Sequence, residues 1–173
     1  MSLSSEKHIL VIHPKDPTTD FLKDIYKDIP NSKITVVSDP YYKHYVHPLF
    51  DRAIILGHGT PHGLIGINID PLLPILKKQS NNIYIWCNAD EYVKHNSLKG
   101  MCTGMMCSEV SEANIYKINV NQFEVACSNE LFAKTIGKYV NLTPEKCVEN
   151  VKREYFKDSD LIRFNNERIY FFK

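Results

Sequence analysis

Residues 8–13, His-Ile-Leu-Val-Ile-His, form a short apolar run stopped by Pro14, and similar runs recur at 34–37, 52–57 and 83–87. Apolar runs of this length, rich in β-branched residues and bounded by Pro, Asp or Asn, read as buried strands. Between the first two, Phe21, Leu22, Ile25, Tyr26 and Ile29 recur at helical spacing and Pro30 ends them, so a helix is predicted over Thr19–Ile29. Asp70-Pro71 caps and starts a second helix containing Leu72, Leu73, Ile75 and Leu76, with Pro74 disturbing its first turn. A fifth strand is expected within Met101–Met106, followed by a helix from about Ser108. Leu131, Phe132, Thr135, Ile136 and Tyr139 share one face of a helix over 128–140, and Thr143-Pro144-Glu145 opens another that runs to Tyr155. Leu161–Phe164 and Arg168–Phe172, separated by Asn165-Asn166-Glu167, are expected to close the chain as a terminal hairpin or edge addition.

Strands interleaved with helices predict a three-layer α/β fold with a mainly parallel sheet. The strand runs lack strict alternation, as expected when both sheet faces are covered. No repeat or linker divides the chain, so one α/β domain over 1–173 is expected. Ligands of open α/β sheets bind beyond the carboxyl ends of the strands. His13, Ser38, His58 and Cys87 all stand at such ends.

The composition, 43% hydrophobic and 24% charged, is that of a folded globular chain without low-complexity tracts. A formal charge of +1 gives no broad field to favour nucleic acid or an anionic surface, so neither partner is expected. No run of eighteen apolar residues exists to span a membrane, and Met1–Lys7 is polar, without the apolar core of a signal peptide. A cytoplasmic location is therefore expected, with the five cysteines as thiols. The aromatic and histidine-rich stretch from Asp39 to Phe50 fits no regular element.

Two strand ends carry the candidate chemistry. Ile54-Ile55-Leu56-Gly57-His58-Gly59 and Ile83-Tyr84-Ile85-Trp86-Cys87-Asn88 each end an apolar run at a residue capable of proton transfer or nucleophilic attack. If the strands are parallel neighbours, His58 and Cys87 reach the same rim. An imidazole with a reference pKa of ~6.5 can take the proton of a thiol whose own reference is ~8.5. Gly57 and Gly59 allow a sharp turn and close backbone approach, and the Gly59 N–H is a candidate oxyanion donor. Asn88, Asp90, Ser108 and Glu109 complete the candidate oxyanion or substrate contacts, with Glu91, Ser111 and Glu112 near the same rim.

With a His-Gly pair ending one strand and a Cys ending the next, the chain resembles the caspase-like fold cysteine peptidases of the caspase, gingipain and clostripain type. The resemblance spans about residues 8–113. It implies a peptidase-like cysteine hydrolase acting on a peptide or small acyl substrate, without a cofactor. It also implies that His58 is the general acid-base, Cys87 the nucleophile and Gly59 N–H an oxyanion donor. Cys87 is followed by Asn88-Ala89 and lacks the Gln-Ala-Cys-Arg-Gly type of caspase signature. The implied relative is therefore small and divergent.

Other chemistries fit the spacing less well. His58, His62, Cys87, His95, Cys102 and Cys107 are potential zinc ligands, but Cys102-x4-Cys107 lacks a tight knuckle and Pro61 interrupts His58-x3-His62. No metal is therefore expected. The glycine-rich stretch 57–66 matches neither a Walker sequence nor Gly-x-Gly-x-x-Gly. The competing function is a non-catalytic α/β module, a degenerate relative included, that binds a protein or small ligand through the same rim. Tyr41, Tyr42 and Tyr45 would then serve as anchors. Oligomeric state is not determined by any of these patterns.

Overall fold

The apolar runs pair side by side. The computed structural model describes residues 7–40 and 50–173. In chain order its strands are β1 (Lys7–Ile12), β2 (Ser32–Val37), β3 (Arg52–Leu56), β4 (Gly59–Thr60), β5 (Gly63–Leu64), β6 (Asn82–Ile85), β7 (Gly100–Thr103) and β8 (Ile169–Phe172). The helices are α1 (Leu73–Leu76), α2 (Ala89–His95), α3 (Val110–Ile115), α4 (Gln122–Tyr139), α5 (Pro144–Glu154) and α6 (Asp160–Glu167), with 3-10 segments at Pro17–Ile25 and Asp70–Leu72. The six-stranded sheet has the order β2-β1-β3-β6-β7-β8. Its first five strands are mutually parallel, and β8 is antiparallel to β7. β4 and β5 form a separate hairpin.

Side-chain alternation divides the core into two layers. Ile9, Val11, Ile54, Leu56, Ile83 and Ile85 pack with Phe132 and Ile136 of α4 and Val148 and Val151 of α5. Leu10, Ile12, Ala53, Ile55, Tyr84 and Trp86 pack on the other face with Leu72, Leu76, Tyr92 and Val93. Since alternate residues face opposite sides of a strand, two covered faces require apolar residues at every position. Each large side chain so buried contributes about 1.5–3 kcal/mol.

The chain leaves β1 to one side for β2 and returns to the other side for β3, which places a topological switch point at the β1/β3 carboxyl ends. The segment after β1 begins earlier than its apolar spacing predicts. The Asp16 side chain accepts from Thr18 N at 2.9 Å and Pro17 takes the first position, so a 3-10 helix covers Pro17–Ile25. α4 lies against this segment at very close range. A Cβ on Gly137 would fall 2.5 Å from Asp24 O.

The C-terminal strand is an antiparallel addition, as expected, but its partner is β7, with Met101 opposite Phe171. Leu161–Phe164 is not a hairpin arm. It belongs to α6, whose buried residues Leu161, Ile162 and Asn165 recur at helical spacing behind Ser159 and Asp160. α2, directly after Cys87, has no counterpart in the sequence expectations. Tyr41, Tyr42 and Tyr45 lie outside the described residues. No helix among the described residues is long and apolar enough to cross a membrane.

Gly137→Ala gives the packing of α4 on the 3-10 segment a test of sign. In an exposed helix this change stabilises by up to about 1 kcal/mol. Here the added methyl meets backbone, and urea denaturation is expected to show a loss of about 1–3 kcal/mol.

Candidate active site

Register sets the site. Leu56 and Ile85 are paired across β3 and β6, and Gly57 N donates to Ile85 O at 3.0 Å. His58 and Cys87 therefore each stand two residues beyond a matched pair, at the carboxyl edge of neighbouring parallel strands. Both line one narrow slot with a cavity volume of about 30 Å³. That is room for one or two waters. Ile85, Met106, Phe132 and Asn165 contribute to its walls. The slot adjoins an open groove of about 550 Å³, and Phe21, Ser108 and Asn129 line both.

Two local features hold the strand ends in place. The Trp86 indole N–H donates to Thr60 O at 3.1 Å and covers Gly59, where a Cβ would come within 2.1 Å of the indole ring. Only glycine allows the β4–β5 hairpin to lie this close. On the other strand, Asn88 follows Cys87 with φ 63°, a left-handed turn that Asn tolerates, and opens α2. Thr103 Oγ1 donates to Trp86 O at 2.9 Å and ties β7 to the same edge.

His58 is held from the segment after β1. Its Nε2 lies 2.7 Å from Thr18 Oγ1, and that hydroxyl is 2.7 Å from Asp16 Oδ1. The Thr18 hydroxyl and amide keep Asp16 below the usual carboxylate range. An ionised carboxylate only accepts, so Thr18 donates to Asp16 and accepts from His58 Nε2–H. In the neutral ring Nδ1 is then the acceptor nitrogen. Behind this relay, His13 is only 3% exposed. Thr19 Oγ1 donates to Asp16 O at 3.1 Å and lies 3.2 Å from His13 Nε2, while Tyr26 Oη lies 3.0 Å from His13 Nδ1. The same donor logic makes His13 a bridge: Nε2–H donates to Thr19, and in the neutral ring that burial favours Nδ1 accepts from Tyr26.

Cys87 has different neighbours. Its Sγ donates to Met106 O at 3.4 Å, and Glu112 Oε1 lies 3.9 Å away. Burial first, and then the Glu112 and Glu109 carboxylates, push the thiol up to about 11 against the opposing backbone hydrogen bond at Met106. The thiol proton is therefore directed at Met106 and Glu112 in the resting structure, not at His58. The segment that supplies Met106 is fixed from α6. Asn165, fully enclosed, accepts from Cys107 N at 2.8 Å and donates to Cys107 O at 3.0 Å and Tyr155 Oη at 3.3 Å. Asn129 of α4 donates to Ser108 O at 2.9 Å.

The remaining candidates divide. Ser108 lines slot and groove, and Glu109 lines the groove while capping α3. Asn88 adjoins Cys87 as the cap of α2. Gly57, rather than Gly59, lines the slot. Asp90 points elsewhere and pairs with Lys94 at 3.0 Å. His62, Glu91 and His95 line a separate cavity of about 420 Å³. Cys102 is enclosed within β7. No group of three or more His, Cys, Asp or Glu side chains is placed to hold a metal ion among the described residues. Asp16, Thr18, Thr19 and Asn165 were not among the sequence candidates. Asp16-Pro17-Thr18 does carry a legible helix-start signature, but nothing local in it points to His58.

Burial lowers the His13 pKa, with Lys23 adding to the effect. Above the unfolded-state value of ~6.5 both states are neutral and the bridge is intact. As pH falls below it, the unfolded chain takes up a proton that the folded chain refuses, so stability drops. The slope from this group is at most about 1.4 kcal/mol per pH unit and ends once the folded His13 itself titrates. Urea denaturation between pH 7.5 and 5 is expected to show this decline, and His13→Gln is expected to flatten it.

No family model, no curated protein and no solved structure matches this chain, so its chemistry is read from the geometry of the slot itself.

Proposed function

We propose that this chain is a cysteine hydrolase of caspase-like architecture, acting on a peptide or other acyl substrate with Cys87 as nucleophile and His58 as general acid-base. One observation carries the reading: His58 and Cys87 leave register-matched ends of adjacent parallel strands and line one slot. The Asp16–Thr18 relay supports it by presenting His58 with Nδ1 as the basic nitrogen. In the reaction, Cys87 Sγ attacks the substrate carbonyl carbon and its proton passes to His58 Nδ1. His58 then protonates the leaving group, and water hydrolyses the acyl-enzyme with His58 as base. The raised thiol pKa favours proton transfer during attack over a preformed thiolate.

The groove supplies a place for substrate beside the slot. Among the described residues the charged groups lining it are Glu109 and Glu130, and no arginine or lysine lines either space. An acidic substrate side chain therefore finds no counter-ion among these residues, which disfavours caspase-type aspartate specificity.

A second reading, the non-catalytic binding module, is favoured by the Cys87 hydrogen bond to Met106 and its carboxylate neighbour, which suit a structural thiol. Turnover separates the two. A peptide-coumarin library varied at the residue before the scissile bond is expected to yield cleavage that Cys87→Ala abolishes. His58→Ala is expected to reduce kcat by about 10²–10⁴-fold, and Thr18→Val to cause a smaller loss of the same kind. Absence of any Cys87-dependent cleavage across the library, with the parent folded, would overturn the hydrolase reading in favour of the binding module.

A further inference from the structure

Glu112 is anchored unusually firmly for a side chain on a six-residue helix. Its Oε2 accepts from Ser108 N at 2.7 Å, Glu109 N at 3.1 Å and Ser108 Oγ at 3.1 Å. The reciprocal half of the capping box, Glu109 to the backbone of Glu112, fixes the same turn. With Oε2 so engaged, the second oxygen has one place to go, and it faces Cys87 Sγ at 3.9 Å. A helix cap needs only one carboxylate oxygen and no thiol beside it. The turn therefore does two things: it starts α3 and sets a fixed negative group against the sulfur that the slot exposes.

We propose that Glu112 is a brake on Cys87, a carboxylate that holds the sulfur's proton in place until substrate entering the groove displaces the Ser108–Glu112 turn. Geometry supports the link to substrate, because Ser108 and Glu109, which donate to the Glu112 carboxylate, themselves line the groove. Substrate lodged there meets the turn before it meets the thiol. Movement of the carboxylate away from Sγ removes the charge that opposes ionisation and leaves His58 as the base.

The other groups facing the sulfur do not duplicate this role. His58 and Cys107 line the same slot, from the end of β3 and from the loop before α3. Glu109 acts on the thiol from the same turn as Glu112, at longer range and without a bond to it. Among the described lining residues no lysine or arginine offsets the two carboxylates. This inference rests on Cys87 being the nucleophile of the proposed hydrolase, but the brake is measurable on the thiol without any substrate.

The measurement is the rate of iodoacetamide labelling of Cys87 between about pH 7 and 11.5, resolved by peptide mass spectrometry. Half-buried Cys127 serves as an internal comparison. In the parent, Cys87 is expected to titrate well above the ordinary ~8.5 of a free thiol. Glu112→Gln keeps an acceptor for the Ser108 and Glu109 amides but removes the charge. It is expected to lower the midpoint by roughly one pH unit and raise labelling at pH 8.5 about tenfold. Glu112→Asp, which restores the charge, is expected to return the profile toward the parent. A Glu112→Gln profile that superposes on the parent's would refute the brake. So would a parent midpoint at or below ~8.5, a result that requires no variant to fold. Loss of all peptide cleavage with the titration shift intact would count against the hydrolase alone, and cleavage without the shift would count against the brake alone.

Discussion

The pairing of β3 with β6 is the constraint on which the site depends. Adjacent parallel strands lie only ~4.8 Å apart, and a one-residue slip would turn every side chain to the opposite face. Here the match of Leu56 with Ile85 is secured on both faces: Leu56 and Ile85 join one core layer, while Ile55, Tyr84 and Trp86 join the other. The strand ends then overhang equally, and His58 and Cys87 enter the same slot. The pairing also brings Trp86 over Gly59, so the hairpin that follows His58 is bound to the strand that bears Cys87.

His58 and Cys87 occupy opposite electrostatic settings within that slot. His58 meets a polar relay from the loop after β1, ending in an ionised Asp16, which orients the ring. Cys87 meets burial and Glu112, both of which oppose ionisation. The resting arrangement therefore sets an imidazole tied to a polar relay in the same slot as a thiol that keeps its proton.

Interior polar groups support this arrangement from a distance. Asn165 binds both backbone groups of Cys107 and thereby fixes the loop that supplies Met106 and Ser108. Arg52, buried at the opposite edge of the sheet, donates through Nη1 to Val140 O where α4 ends, a favourable place for a cation. Its Nε and Nη2 have no hydrogen-bond partner among the described residues, and burial pushes its pKa down to about 10. Breaking such enclosed networks by removing one partner leaves the other polar group unsatisfied, at a cost of about 1–3 kcal/mol.

Much of the architecture was legible along the chain. The runs at 8–13, 34–37, 52–57 and 83–87 are too apolar for a one-sided sheet and too short for helices, which dictates buried parallel strands between helices. Pro14, Pro30 and Asp70-Pro71 mark boundaries because proline constrains the backbone locally. The strand-end positions of His58 and Cys87 were legible for the same reason, since each terminates its own run. Leu161–Phe164 was misread because a short apolar segment fits strand and helix alike, and only packing against the core decided between them. The local sequence likewise held the start signal at Asp16-Pro17 and the capping pattern at Glu109–Glu112. Strand order alone decided that Thr18 reaches His58 and that Glu112 faces Cys87, because those contacts join segments distant in sequence whose meeting depends on the whole sheet being assembled.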